Sequence, residues 1–371
     1  MKNLIFAFLV LLISCSQQKE AEKEVPKRNF VEVSQIDTSI KPGDNFFMYV
    51  NGIWYDTAKI ADDQSGVGSY SFLNIPQKML LQDILEEVSG EQHTAGSIEQ
   101  KVGDFYASGM DTSAINARGY DPIKPILAQI EEIKDLAGLM SFVTEGLKTD
   151  NQSIVSLGIS PDPENSSINI AHYSQTGLGL PDRDYYFKTD SSTLAIQQAY
   201  LDYLTTLFEL TGTESAAAKS DAEKVYAMEK KMAESHKTRI ERRVVKENYH
   251  KMAVAELDSK EPNIGWSASL TQLGINTDSV DIRQPAYYET LDKMLKSVPL
   301  SDWKSYVKAH TLTSFAEALS KPFEDASFAY EKVISGQSTQ LTRQQQMAQK
   351  VDRQLGFALG QLYVKRYFNE D

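Results

Sequence analysis

The chain is 371 residues long and 41% hydrophobic, with 51 acidic against 38 basic side chains and a net charge of −13. That acid excess repels phosphate groups and argues against nucleic acid or an anionic membrane surface as a partner, while the apolar fraction suffices for a sizeable core. A single cysteine, Cys15, excludes an internal disulfide.

Residues 1–15 read as a signal peptide. Lys2 supplies the positive start, residues 4–13 form an apolar run too short to cross a bilayer, and Leu12-Ile13-Ser14-Cys15 resembles a bacterial lipoprotein box. The expectation is a diacylated Cys15 that anchors the chain by lipid to the bacterial cell envelope, on its periplasmic or surface face. Two or more acyl chains hold stably because each buried CH₂ contributes about 0.8 kcal/mol. Residues 16–35 begin with the charged run SQQKEAEKEVPKR and read as a disordered tether. The folded domain is expected over residues 36–371.

Phe46, Phe47, Tyr49, Val50 and Trp54 crowd into nine residues around Asn51-Gly52. This predicts a short helix closed at Asn-Gly with its aromatics in the core, against the alternative that Asn51 or Trp54 faces a cleft. Ile75, Met79, Leu80, Ile84, Leu85 and Val88 form a helical stripe ending before Gly90. Ser97-x-x-Gln100 is a capping-box pattern, and Asp121-Pro122 is an N-cap followed by a first-turn proline. Further stripes run through Ile123–Ile133 and Leu136–Leu147. Short spacers between them imply antiparallel neighbours.

Residues 151–175 break the helical period. Ile154, Val155, Leu157 and Ile159 face Ile168, Ile170 and Tyr173 across Pro161-Asp162-Pro163, which predicts a β-hairpin (about 154–175) with a loop too long for a tight turn. Helices are then expected over residues 193–210 and 216–237, the latter with Val225, Met228 and Met232 inside. Arg239, Arg242 and Arg243 cluster behind it. Arg242 and Arg243 form a candidate contact for a peptide carboxylate, the alternative being a solvated helix end paired with Glu241 and Glu247. A proline-led turn and short helix over 262–274 and a strand-like run over 280–285 precede helices over 287–298, 303–319, 323–334 and 344–368. The fold class is therefore mainly α, a multi-helix lobe with one small β-hairpin.

Between hairpin and helices stands GLGLPDRDYYF (residues 177–187), with PGDNFFMYVNGIW (42–54) and ASGMDT (107–112) ahead of it. Together and in this order the three resemble the N-terminal region of the neprilysin-like zinc metallopeptidases. The resemblance implies a helical lobe that caps the catalytic lobe and limits substrate size. It also implies a zinc ion held by a His-Glu-x-x-His helix and a more distant glutamate, in a region that follows the one matched here. None of the five histidines, His93, His172, His236, His250 and His310, is followed by Glu, and no two are three or four apart. His172, alone on a strand, reads as a surface or core residue. No Gly-x-Ser-x-Gly elbow, phosphate loop or dinucleotide fingerprint occurs.

No catalytic or metal-binding residue is therefore assigned to this chain, and zinc is expected only in the family's catalytic region. The implied function is the N-terminal lobe of a membrane-anchored metalloendopeptidase lipoprotein acting on peptides, without hydrolysis by this chain alone. Its partner is a catalytic zinc lobe, in the same native protein or in a second chain. The alternatives are a non-catalytic surface lipoprotein that binds peptides or a partner protein, and a remnant with an exposed apolar interface.

Overall fold

The computed structural model describes residues 32–149, 151 and 153–368. Cys15, the signal segment and residues 16–31 of the tether lie outside them. Residues Val33–Gln35, inside the span read as tether, form a 3-10 turn. The chain divides into two units, residues 1–59 and residues 60–371.

In the first unit, α1 (Phe46–Thr57) is capped by Asn45, whose side chain accepts the Met48 amide. Two expectations fail here. The helix runs straight through Asn51-Gly52, because Asn51 turns its amide back onto the Phe47 carbonyl and Gly52 packs on the turn before the helix. A Cβ on Gly52 would stand 2.8 Å from the Asp37 Cβ, so the glycine serves close approach, not closure. The aromatics are not core: Phe46, Phe47 and Tyr55 are exposed, and Gly52 is the one buried residue of the helix.

The second unit holds the remaining helices and the sheet. Its helices are α2 (Ser71–Gly90), α3 (Ile98–Met110), α4 (Thr112–Arg118), α5 (Lys124–Glu132) and α6 (Leu136–Gly146). After the sheet's first two strands come α7 (Ser191–Leu210), α8 (Ser215–Ser235), α9 (Val254–Lys260) and α10 (Trp266–Gln272). Then follow α11 (Pro285–Ser297), α12 (Leu300–Phe315), α13 (Lys321–Ser335) and α14 (Arg343–Tyr367). The local signals work as physics requires. Ser97 accepts the Gln100 amide while Gln100 reaches back to Gly96, and Asp135 accepts the Gly138 amide to start α6. Thr342 and Gln345 form a reciprocal capping box that starts α14. Asp121-Pro122 opens a 3-10 turn, and α5 follows it.

The hairpin is half of a larger sheet. β1 (Ser156–Asp162) pairs antiparallel with β2 (Asn165–Ser174), β2 pairs parallel with β4 (Ser279–Ile282), and β3 (Lys251–Ala253) pairs antiparallel with β4. The order is β1-β2-β4-β3. Contrary to expectation the hairpin turn is tight: Asp162 pairs with Asn165, with only Pro163 and Glu164 between. Pro161 fits because β1 is an edge strand, where a missing N–H costs no ladder bond, and Asp162 accepts the Glu164 amide to fold the turn.

Two apolar clusters hold this unit. A smaller one joins α2, α3 and α14 through Ile84, Leu85, Val102, Met347, Val351 and Leu359. The larger one packs α5 to α13 around the sheet and is rich in buried aromatics. Tyr173, Trp266, Tyr287 and Tyr288 contact one another with ring centroids 4.9 to 6.1 Å apart.

Candidate functional site

The loop of residues 177–187 runs from β2 to α7 through the larger core, and tyrosine hydroxyls hold its glycine-rich half. Tyr306 of α12 donates to the Gly177 carbonyl at 2.8 Å, and Tyr330 of α13 donates to the Gly179 carbonyl at 3.1 Å. The Leu180 amide donates to the Tyr186 hydroxyl, which donates in turn to Glu229 of α8 at 2.9 Å. Gly177 has φ +87°, a conformation that favours glycine. At Gly179 a Cβ would stand 1.8 Å from the Tyr200 hydroxyl oxygen, so only glycine lets the loop pass.

Glu229, at 0% exposure, is the node of this arrangement. Its carboxyl group accepts from Tyr186, from Tyr200 at 2.8 Å, and meets His310 Nε2 at 2.9 Å. Burial first, and the neighbouring Glu229 second, push the Tyr186 and Tyr200 hydroxyls well above the usual phenol range, so both stay neutral donors. Sequence reasoning missed Glu229. The signal was present: it lies four residues after Val225 and three before Met232, on the inner face of α8, where a carboxylate needs partners.

Beside the loop lies a cleft of 150 Å³, its walls formed by residues 175–183 and by the chain after α8. Buried side-chain amides join these walls. The Gln175 side chain exchanges hydrogen bonds with the Lys237 backbone at 2.8 and 2.9 Å, the Gln175 backbone N–H donates to the Gln284 side chain, and Gln284 donates to Asn248. Asp182 caps the 3-10 turn Arg183–Tyr186 and pairs with Arg239 at 2.6 Å. His236 forms part of the wall, its ring edge-on to Tyr287. Burial above all holds its imidazole down at about 4; the Thr176 backbone opposes this, and the Arg242 and Arg183 charges reinforce it.

The structure separates the two arginines singled out in the sequence. Arg242 lines this cleft with Arg183, Lys237 and Arg239, whereas Arg243 does not line it. The expected pairing with Glu241 is absent among the described residues, since the Glu241 carboxylate accepts from the Thr238 amide and hydroxyl.

The five histidines do not converge. His93 bonds to the Val88 carbonyl, His172 to Ser160, His250 to the Ile282 carbonyl and His310 to Glu229, while His236 packs on Tyr287. Among the described residues no three His, Cys, Asp or Glu side chains come together in a way that fits a metal ion. The described residues therefore do not fit a zinc centre.

A family model described as peptidase family M13 matches residues 42–371. The chain is 26% identical to human endothelin-converting enzyme 1 over 358 residues, covering 91% of this chain and 45% of that protein. It is 23% identical to membrane metallo-endopeptidase-like 1 of Mus musculus over 366 residues, covering 91% and 47%. Among solved structures it resembles the Mycobacterium tuberculosis zinc metalloprotease ZMP1 with a TM-score of 0.84 and 27% identity, covering 91% of this chain and 52% of that one. PEPO from Lactobacillus rhamnosis HN001 shares the fold at a TM-score of 0.78 and 18% identity, over 90% and 52%. The chain thus spans about half the length of the relatives it matches.

Proposed function

Since the chain belongs to peptidase family M13, as that family's N-terminal domain, we propose that it is the lid lobe of a zinc metalloendopeptidase, capping the active site and restricting which peptides enter. The zinc ligands belong to a second lobe, supplied by the same native protein or by another chain. The observation that carries this reading is the coverage: 91% of these residues align with 45% of a full-length relative.

The surface gives a second support. Leu73, Ile75 and Met79 on α2 are exposed, as are Phe357, at 97%, and Val364 on α14. Large apolar side chains left exposed on two packed helices favour a covering partner. Anchoring through a lipidated Cys15 places the lobe in the bacterial cell envelope in this reading, with Cys15→Ala expected to release the protein from pelleted membranes.

The test is the intact mass and bound zinc of the native protein purified from its own cells. A polypeptide longer than 371 residues, or a co-purifying second chain, carrying zinc is the expected result. A mass equal to this sequence without its signal peptide, with no zinc and no second chain, overturns the lid reading and leaves a peptide-binding or partner-binding lipoprotein.

A further inference from the structure

The cleft beside residues 177–183 has a charge pattern that the lid reading does not use. Arg183, Lys237, Arg239 and Arg242 line it against the one carboxylate of Asp182, on a chain whose net charge is −13. Three of these cations are engaged internally. Arg239 pairs with Asp182 at 2.6 Å, and Lys237 donates to the Glu247 carbonyl and to Asn248. Arg183 donates to the Ala233 carbonyl, lies 3.9 Å from Asp184 and sits over the Phe187 ring. Arg242 differs: among the described residues its guanidinium has no hydrogen-bond acceptor and no carboxylate within ion-pair distance.

A guanidinium left open at the mouth of a rigid cleft offers a planar fork that matches a carboxylate in two parallel hydrogen bonds. The walls are fixed beforehand by the Gln175–Lys237 and Gln284–Asn248 hydrogen bonds, so ordering them adds little to the cost of binding. Outside the cleft's lining, the same loop exposes Ile240, Val244 and Val245, aliphatic side chains within three residues of Arg242 in the chain. Charge selects an anion; the aliphatic flank selects one that carries an apolar group.

We propose that this cleft binds the terminal carboxylate of a peptide ending in an apolar residue, with Arg242 as the carboxylate fork and the loop of Ile240 and Val244 against the side chain. The choice of a peptide rests on the peptidase-lobe reading; the anion site does not.

Fluorescence anisotropy of N-terminally labelled trileucine, titrated with the purified chain without any zinc-binding partner, tests this. Saturable binding is expected, weakened at least tenfold by Arg242→Gln and by amidation of the peptide terminus, and unchanged by Arg243→Gln. Unchanged thermal melting of Arg242→Gln is expected too, since the side chain has no internal partner to lose. Equal binding of acid and amide, or equal losses in the two arginine variants, overturns the proposal. Competition by acetate as strong as by unlabelled trileucine overturns its peptide part. Failure here leaves the lid reading standing, because mass and zinc content decide that separately.

Discussion

Glu229 gathers three hydrogen bonds at a fully buried carboxyl group, and its removal has a calculable sign. Glu229→Ala leaves the Tyr186 and Tyr200 hydroxyls and His310 without their acceptor inside the core. Each buried polar group left unpaired costs roughly 1–3 kcal/mol, so a loss of about 3–5 kcal/mol is expected in chemical denaturation, with Glu229→Gln losing less. Gly179→Ala drives a methyl into the Tyr200 hydroxyl, which its bond to Glu229 holds in place, and a loss of about 2–3 kcal/mol is expected. Two buried titratable groups make opposing contributions with pH. Burial, then Glu289 and Asp292, raises Glu261 from 4.5 to about 7, against the opposing pull of Trp266 and Lys260. The folded state therefore binds the extra proton, and stability is lost as pH rises from 4.5 to 7. His236 is lowered from 6.5 to about 4, so there the unfolded state binds the extra proton and stability is lost as pH falls from 6.5 to 4. Between pH 4.5 and 6.5 the two slopes oppose each other. Glu261→Gln removes one, and denaturant titrations of that variant are expected to show stability up by about 2 kcal/mol at pH 8 and a steeper decline on acidification than the parent.

At the scale of elements, helix packing decides the sign of substitutions that propensity alone would misjudge. Ala in place of Gly inside a helix gains about 1 kcal/mol intrinsically. In α3, however, a Cβ on Gly103 would stand 2.6 Å from the Val88 carbonyl oxygen of α2, a backbone atom that cannot swing aside. One on Gly109 would meet the thioether end of Met347, which can. Gly103→Ala is expected to lower the melting temperature markedly, by the equivalent of about 2 kcal/mol, and Gly109→Ala by less than half of that. The same contrast explains what was legible in the sequence. Apolar stripes and the Ser97 cap located helices because local chemistry sets them; Asp135 and Thr342 cap in the same way, within three residues of themselves, and were not read from the sequence. The hairpin was legible for the same reason, but the parallel pairing of His172 with Asp281 was not, since it joins segments more than a hundred residues apart. In α1 the helix was read correctly but its closure at Asn51-Gly52 and its burial were not, because aromatic content alone does not say which face has a neighbour. The cleft was half legible: three arginines in five residues announced a basic site, while Arg183, Lys237 and the loss of Arg243 from it depend on tertiary placement.

For the whole molecule, family membership goes together with a division of labour between two lobes. Residues 42–371 match peptidase family M13, yet five scattered histidines provide no zinc centre among the described residues. The signature loop is built into the core by Tyr186, Tyr306 and Tyr330, while apolar side chains such as Phe357 and Met79 remain uncovered. That combination suits a lobe made rigid on its own and finished by contact with a partner. The most direct measurement is peptide hydrolysis by the purified 371-residue chain, assayed with added zinc and with a chelator. The account predicts no turnover in either condition. Zinc-dependent cleavage by this chain alone would contradict it, because the catalytic centre would then have to be formed by residues assigned here to the lid.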